Sequence, residues 1–426
     1  MQPAADMSQF IEIGRGTHDI RLPVKPEVGI GCCPEPAQGP VRPEVSRRVR
    51  DALHNPDQFL PISDLVVPGD HFAIAIDAAL PDIEAILAGV LAAVSGCQLG
   101  KIEVVVSSSA TPLQLDRIRN SLPSEVSLTA HRIGDRDGEG YLGADQDAEP
   151  IRLNRALIDA DFVLPISVMR VTDPLSGGPA SDVLFPGLSD WGQLKRLQRG
   201  TARAIEKHER FYNPWAAEQA HQVRWALGVQ LMMAIEIGPR GEIGEIFAAT
   251  PETLAEAVSR YYSSSRPVCE DQPAELTIAC VDGDLSQQTI ENLTRAALAA
   301  RSHTAESGTV VLITELADLG TDAAATESPE EEQERLDQEG DSADETATAI
   351  VSQAAFARRL LNDLINRIDQ SHRYLLWSRC DAENVEAFGF GVIGDAETLC
   401  RLVNHTDRCL VLRAAQTAGG GPHASR

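Results

Sequence analysis

The 426-residue chain has no apolar run near the roughly 18–20 residues that a membrane-spanning helix needs, so no membrane association is expected. Its first residues, Met1-Gln2-Pro3-Ala4-Ala5-Asp6, lack the cationic start and apolar stretch of a secretory signal, and a cytoplasmic protein is expected. Positive charge is scarce. Only 37 Lys and Arg stand against 63 Asp and Glu, a net charge of −26, which argues against a nucleic-acid or anionic-membrane binder. None of the 8 cysteines has C-x-x-C spacing, which removes a zinc ribbon or a dithiol redox motif. Cys280, inside Leu276-Thr277-Ile278-Ala279-Cys280-Val281, reads as a buried reduced thiol, while the adjacent Cys32-Cys33 pair has no reading of its own. The 10 histidines form no H-x-x-x-H or H-E-x-x-H pair, and neither a G-x-S-x-G elbow nor a Walker loop is present.

What remains is an α/β pattern long enough for two domains. His71-Phe72-Ala73-Ile74-Ala75-Ile76 reads as a strand ending at Asp77. The next segment puts Ile83, Ile86, Leu87, Val90, Leu91 and Val94 on one helical face, closed by Gly96. Lys101 to Val106 is a β-branched run suited to a parallel sheet buried on both faces, and Asp161 to Ile166 is another strand. The second half repeats the grammar. Strands are predicted at Leu276 to Val281, Thr309 to Ile313, Tyr374 to Trp377 and Cys409 to Leu412. Helices are predicted at Gln287 to Ala300 and along the stripe Phe356, Leu360, Leu361, Leu364, Ile365, Ile368. Thr250-Pro251-Glu252 opens another helix, with a hydroxyl N-cap and Pro at its first position.

The expected fold is α/β with two domains, each a mostly parallel sheet flanked by helices, and a cleft between them. The expected domains are 1–268 and 273–426, with the linker around Ser263-Ser264-Ser265-Arg266-Pro267. Within the second lies an acidic insertion at about 318–347. Asp318 to Glu345 holds twelve carboxylates and the single Arg335, so it buries too little apolar surface to offset its ordering entropy and is expected to be disordered. It is either a solvated insertion or a docking tail for a basic protein partner. The tail Gly419-Gly420-Gly421-Pro422 is expected to be loose.

Phe388-Gly389-Phe390-Gly391-Val392-Ile393-Gly394 has the spacing G-x-G-x-x-G, but a dinucleotide fingerprint must follow a strand and open a helix. Here a short helix with Asp381 at its N-cap precedes it, so Gly389 reads as that helix's terminating glycine. Ser107-Ser108-Ser109, directly after a strand, is either an anion-binding turn or an ordinary loop start. Ala160 to Ile166, then Ser176-Gly177-Gly178, then Leu184-Phe185-Pro186-Gly187 form a strand, a Gly-rich loop and a Pro-Gly turn. That order makes a backbone bed at the carboxyl end of a sheet, where α/β proteins place ligands.

Several segments, taken in order, resemble the nickel-dependent lactate racemase (LarA-like) family over nearly the whole chain. They are Ala52-Leu53-His54-Asn55-Pro56, Ile76-Asp77 to Pro81, Asn154 to Pro165, Ser176 to Gly187 and Gly241 to Ala257, then Gln288 to Ala297 and Gly308 to Ile313. The resemblance implies a two-domain α/β protein with its site in the cleft. Family members use a nickel-pincer nucleotide tethered through a lysine, two histidines as alternate acid and base, and a further histidine on nickel. Imidazoles suit that exchange because they titrate near neutrality.

This chain departs from the family at those positions. Ala110 stands where the first catalytic histidine is expected and Arg170, which cannot shuttle protons, near the second. Pro179-Ala180-Ser181-Asp182 follows Gly178 where the tethering lysine belongs. The nickel-binding histidine falls near Gln198, and the arginine that would grip a carboxylate falls at Leu80, although Asp77 of that motif is kept. Asn292 and Arg295 match the family's glutamine and lysine.

Two readings follow. In the first, the chain has lost the pincer and is a non-catalytic binder or regulatory paralogue, with no metal and no cofactor. Asp77, Arg170, Ser176, Gly177, Gly178, Asn292 and Arg295 then line a site for a small hydroxy acid or other small anion, the two arginines offering paired N–H donors. The second is an active, divergent 2-hydroxyacid racemase or epimerase. It would need a carboxylate or lysine of strongly shifted pKa, with Lys195 and Asp182 as the nearby candidates. A blander reading leaves the cleft empty and gives the acidic insertion a role in protein contacts.

Overall fold

The β-branched and aliphatic runs become strands, and their order sets the architecture. The chain opens with β1 (Gln9–Arg15), β2 (His18–Val24) and β3 (Gly29–Cys32). Next come β4 (His71–Ile76), β5 (Lys101–Val106), β6 (Val126–Ala130), β7 (Glu139–Ala144), β8 (Pro150–Asn154) and β9 (Phe162–Val168). β10 (Met232–Ile237) and β11 (Ile243–Ala249) close this half. The second half carries β12 (Ala274–Cys280), β13 (Thr304–Ile313), β14 (Arg373–Trp377), β15 (Gly391–Val392) and β16 (Arg408–Leu412). The computed structural model describes residues 9–32, 42–135, 137–145, 148–170, 175, 183–206, 214–238, 241–265, 272–320 and 353–417.

Among the described residues there are two six-stranded sheets. The first has the order β11-β10-β9-β4-β5-β6 and is parallel except for β11. The second, β15-β14-β13-β12-β16-β3, is parallel throughout. This is the two-domain α/β fold. Parallel strands with helices on both faces have no solvated side, which is why β9 is buried at every position and β4 at all but its first.

The helix Ile83–Val94 buries Ile83, Ile86, Leu87, Val90 and Val94 of its predicted face and leaves Leu91 half-buried. It lies so close to the helix Arg42–His54 that a Cβ on Gly89 would come within 2.5 Å of the Ser46 carbonyl oxygen. Hydrophobic cores fill the faces of both sheets, and one of them runs from Ala73 and Leu184 of the first half to Leu293 and Leu361 of the second.

Some expectations shift. Residues 9–32 are on the amino-terminal side of the 1–268 boundary, yet β3 pairs with β16 at the edge of the second sheet, and β1–β2 packs on that sheet's core. The helix expected from Gln287 starts at Ile290, with the Thr289 hydroxyl accepting from the Asn292 N–H. Gln287 and Gln288 stay outside it because their side chains bind loops. The Gln288 amide donates to the carbonyls of Val281 and Gly283, and its oxygen accepts from Thr314 and Glu315. The stripe ending at Ile368 is an α-helix, Gln353–Asp363, finished by a π turn at Leu364–Ile368. Gly389, at φ 106°, terminates the helix Ala382–Phe388, and Gly391 lies in β15, so the G-x-G-x-x-G spacing does not open a helix after a strand. The helix Pro251–Ser265 occupies the start of the expected linker. The remainder of that linker, Cys33, residues 321–347 of the acidic insertion and the Gly-rich tail lie outside the described residues.

Candidate functional site

In each sheet the chain winds outward in both directions from a central pair, and the crevice at the carboxyl end of such a pair is where α/β folds bind ligands. In the first sheet the reversal falls between β4 and β9, and in the second between β12 and β16. The loops leaving β4, β5 and β9 carry Asp77, Ser107 and Arg170, and those leaving β12 and β13 carry Asp284 and Leu316. All of them line one cavity of about 1520 Å³ between the two halves.

The cavity gathers four of the residues singled out by sequence: Asp77, Arg170, Asn292 and Arg295. Asp77 and Arg170, both buried, face each other at 3.8 Å. The Asp77 carboxylate also accepts from the Ala79 N–H at 2.9 Å, a turn that fixes the loop after β4. Arg295 donates to the Asn292 side-chain oxygen at 3.1 Å, and the Asn292 amide donates to the Gln287 carbonyl at 2.9 Å. Three residues apart on one helix, Asn292 and Arg295 share a face, so the pair follows from helical spacing. Ser176, Gly177, Gly178 and Asp182 lie outside the described residues.

Sequence reasoning missed the residues that join the halves. Gln287 donates from its side-chain amide to the Ala79 carbonyl at 2.9 Å, 208 positions away. Gly241 and Gly283, both at positive φ, let the two backbones meet, and a Cβ on Gly241 would lie 3.6 Å from the Gly283 Cα. No local signal marks such contacts. Ser107, part of the triplet read as a loop or an anion turn, accepts from the Ala78 N–H at 3.0 Å and so braces the loop that carries Asp77. The Ser108 hydroxyl oxygen lines the cavity and is buried with no hydrogen-bond partner. Arg117 and Arg358 are further lining guanidiniums that the sequence did not single out. Behind the second half's loop, burial pushes the Asp282 carboxyl up to about 6 although Arg413 binds it at 2.9 Å.

No protein-family model and no curated protein matches the sequence. Solved structures do match. The lactate racemase apoprotein from Thermoanaerobacterium thermosaccharolyticum superimposes with a TM-score of 0.70 at 13% identity, covering 96% of this chain and 99% of that one. The chain has the lactate racemase fold. A Thermotoga maritima protein matches it with a TM-score of 0.57 at 11% identity, over 90% of this chain and 99% of the other.

On the lactate racemase fold, the cleft of this chain offers a particular set of donors. Among the described residues that line it there are carboxylates, hydroxyls, amides and guanidiniums, and no imidazole, thiol or amine. Ala110 packs against the apolar core beside the first sheet, and Leu80 is buried. Lys195 lies over the Trp191 ring, 5.0 Å from its centre, and is not among the described lining residues. The buried His131 contacts the Ser189 carbonyl oxygen and the Asn154 amide, and burial lowers its pKa. Among the described residues no three His, Cys, Asp or Glu side chains group as metal ligands, and no helix is long and apolar enough to cross a membrane.

Proposed function

We propose that the cleft binds a small organic anion of the hydroxy-acid type between Arg170 and Arg295, and that it does so without nickel-pincer racemase chemistry. One observation carries the reading. Two buried guanidiniums, one from each half, line the same cavity, and the described lining holds no imidazole to exchange a proton and no amine to tether a cofactor. Guanidiniums match a carboxylate in shape and charge but do not release protons near neutrality. Nickel held by nitrogen and thiolate donors finds a poor match in this lining of carboxylates, hydroxyls and guanidiniums. The lactate racemase fold, shared at 13% identity, supports the place of binding and is the source of the hydroxy-acid expectation.

Titration of the purified protein with D- and L-lactate tests this. A ligand that binds only the folded state raises the melting midpoint, and calorimetry gives its affinity. Loss of a hydrogen bond to a charged group is worth about 1.5–3 kcal/mol, so Arg295→Gln should weaken binding by roughly 10- to 100-fold. Racemisation of either enantiomer above a blank, or unchanged affinity in Arg295→Gln, would overturn the reading.

A further inference from the structure

The cavity is larger than a lactate-sized ligand requires. Small-molecule pockets typically span about 300–1,000 Å³, and this one measures about 1520 Å³. Its lining residues differ widely in exposure. Arg170 is 4% exposed and Arg295 7% exposed, so the guanidiniums lie at the bottom. At the mouth stand Leu113 and Leu285, 71% and 75% exposed, one from each half of the molecule. A single exposed leucine means little, but here two line the same cavity, one from each half.

The charges narrow the ligand further. Among the described lining residues, carboxylates outnumber guanidiniums seven to four, and Asp284 and Asp318 are exposed near the mouth. Such a lining repels a ligand that carries several negative charges, which disfavours polyphosphates and polycarboxylates. A single anionic head reaching the buried guanidiniums meets its countercharge, provided that the rest of the molecule is uncharged.

From these features we infer that the natural ligand is an amphipathic monoanion. Its head lies at Arg170 and Arg295, and an apolar chain or ring extends to Leu113 and Leu285. This rests on the anion-binding reading above and specifies the half of the ligand that reading leaves open.

Calorimetric affinities for lactate, 2-hydroxyhexanoate, 2-hydroxydecanoate and citrate test it. Burying a methylene contributes about 0.8 kcal/mol at most, so affinity should rise about two- to fourfold per added methylene along the series. Citrate should bind no more tightly than lactate. The variant Leu113→Ser/Leu285→Ser changes two exposed positions and so leaves the fold intact. It should flatten the chain-length dependence while keeping the lactate affinity. Equal affinities along the series, tightest binding by citrate, or a chain-length gain that survives in the double variant would each overturn the inference while leaving the anion-binding reading in place. Binding of none of the four would overturn both.

Discussion

Arg170 and Asp77 meet at 3.8 Å with both side chains buried, so removing either charge takes a close countercharge from the other. Breaking such a pair from one side costs about 3–5 kcal/mol, whereas replacing both members by neutral groups costs far less. Arg170→Met alone should therefore lower unfolding stability by roughly 3 kcal/mol. The double variant Asp77→Asn/Arg170→Met should recover most of that loss. Urea denaturation of the four proteins in the cycle checks it, and additive losses would show that the two groups do not interact. Burying an arginine is costly to folding, and the negative charge of the proposed ligand would add countercharge beside it. At this scale the sequence was informative, because Asp77, Arg170, Asn292 and Arg295 do share one cavity. Gln287 was not legible as a bridge, since its partner is a backbone carbonyl that only the fold brings near.

Between secondary-structure elements, charge holds the far end of the second sheet together. Asp369, just past the π turn, accepts from Arg301 of the helix Ile290–His303 and from Ser371, His372 and the Tyr374 hydroxyl. Burial alone would raise its pKa, yet the bonds from His372, Tyr374 and Ser371 hold the carboxyl well below the usual range. The His372 imidazole is raised, first by its hydrogen bond to Asp369 and against the opposing effect of burial. The signs follow from linkage. A raised histidine stabilises the fold fully below its unfolded pKa of about 6.5, and that contribution is lost as pH climbs through the folded value. A depressed carboxyl stabilises above its unfolded pKa of about 3.9 and loses that contribution as pH falls towards its folded value. His372→Gln should therefore cost stability in full below about pH 6.5 and progressively less above it, which flattens the alkaline limb of the urea midpoints relative to the wild type. An unchanged limb in the variant would contradict the assignment.

The elements that were easy to read are those whose burial is continuous. β4 is buried from Phe72 on, β9 throughout and β5 from Glu103 to Val106, so both faces of these strands are covered. The β1–β2 hairpin was not read, because charged and apolar residues mix along it and only its inner face is buried. β3, Gly-Ile-Gly-Cys, has too little side chain to announce itself and exists because β16 offers an edge. Helix starts depend on what the flanking side chains bind, which is why Gln287 and Gln288 fell outside the helix expected to include them.

At the scale of the whole molecule, two largely parallel sheets turn the carboxyl ends of their strands towards one cavity, and Gly241 and Gly283 come so near that a Cβ on either would lie 3.6 Å from the other's Cα. The lactate racemase fold is kept over 96% of the chain at 13% identity. The described lining of its cleft holds no imidazole and no amine, and Leu80 lines it where the family resemblance implies an arginine. The measurement that reaches this claim most directly is the intact mass and nickel content of the protein purified after co-expression with nickel-pincer synthesis enzymes. The account predicts the mass of the unmodified chain and no stoichiometric nickel. A covalent adduct with one nickel per chain would contradict it.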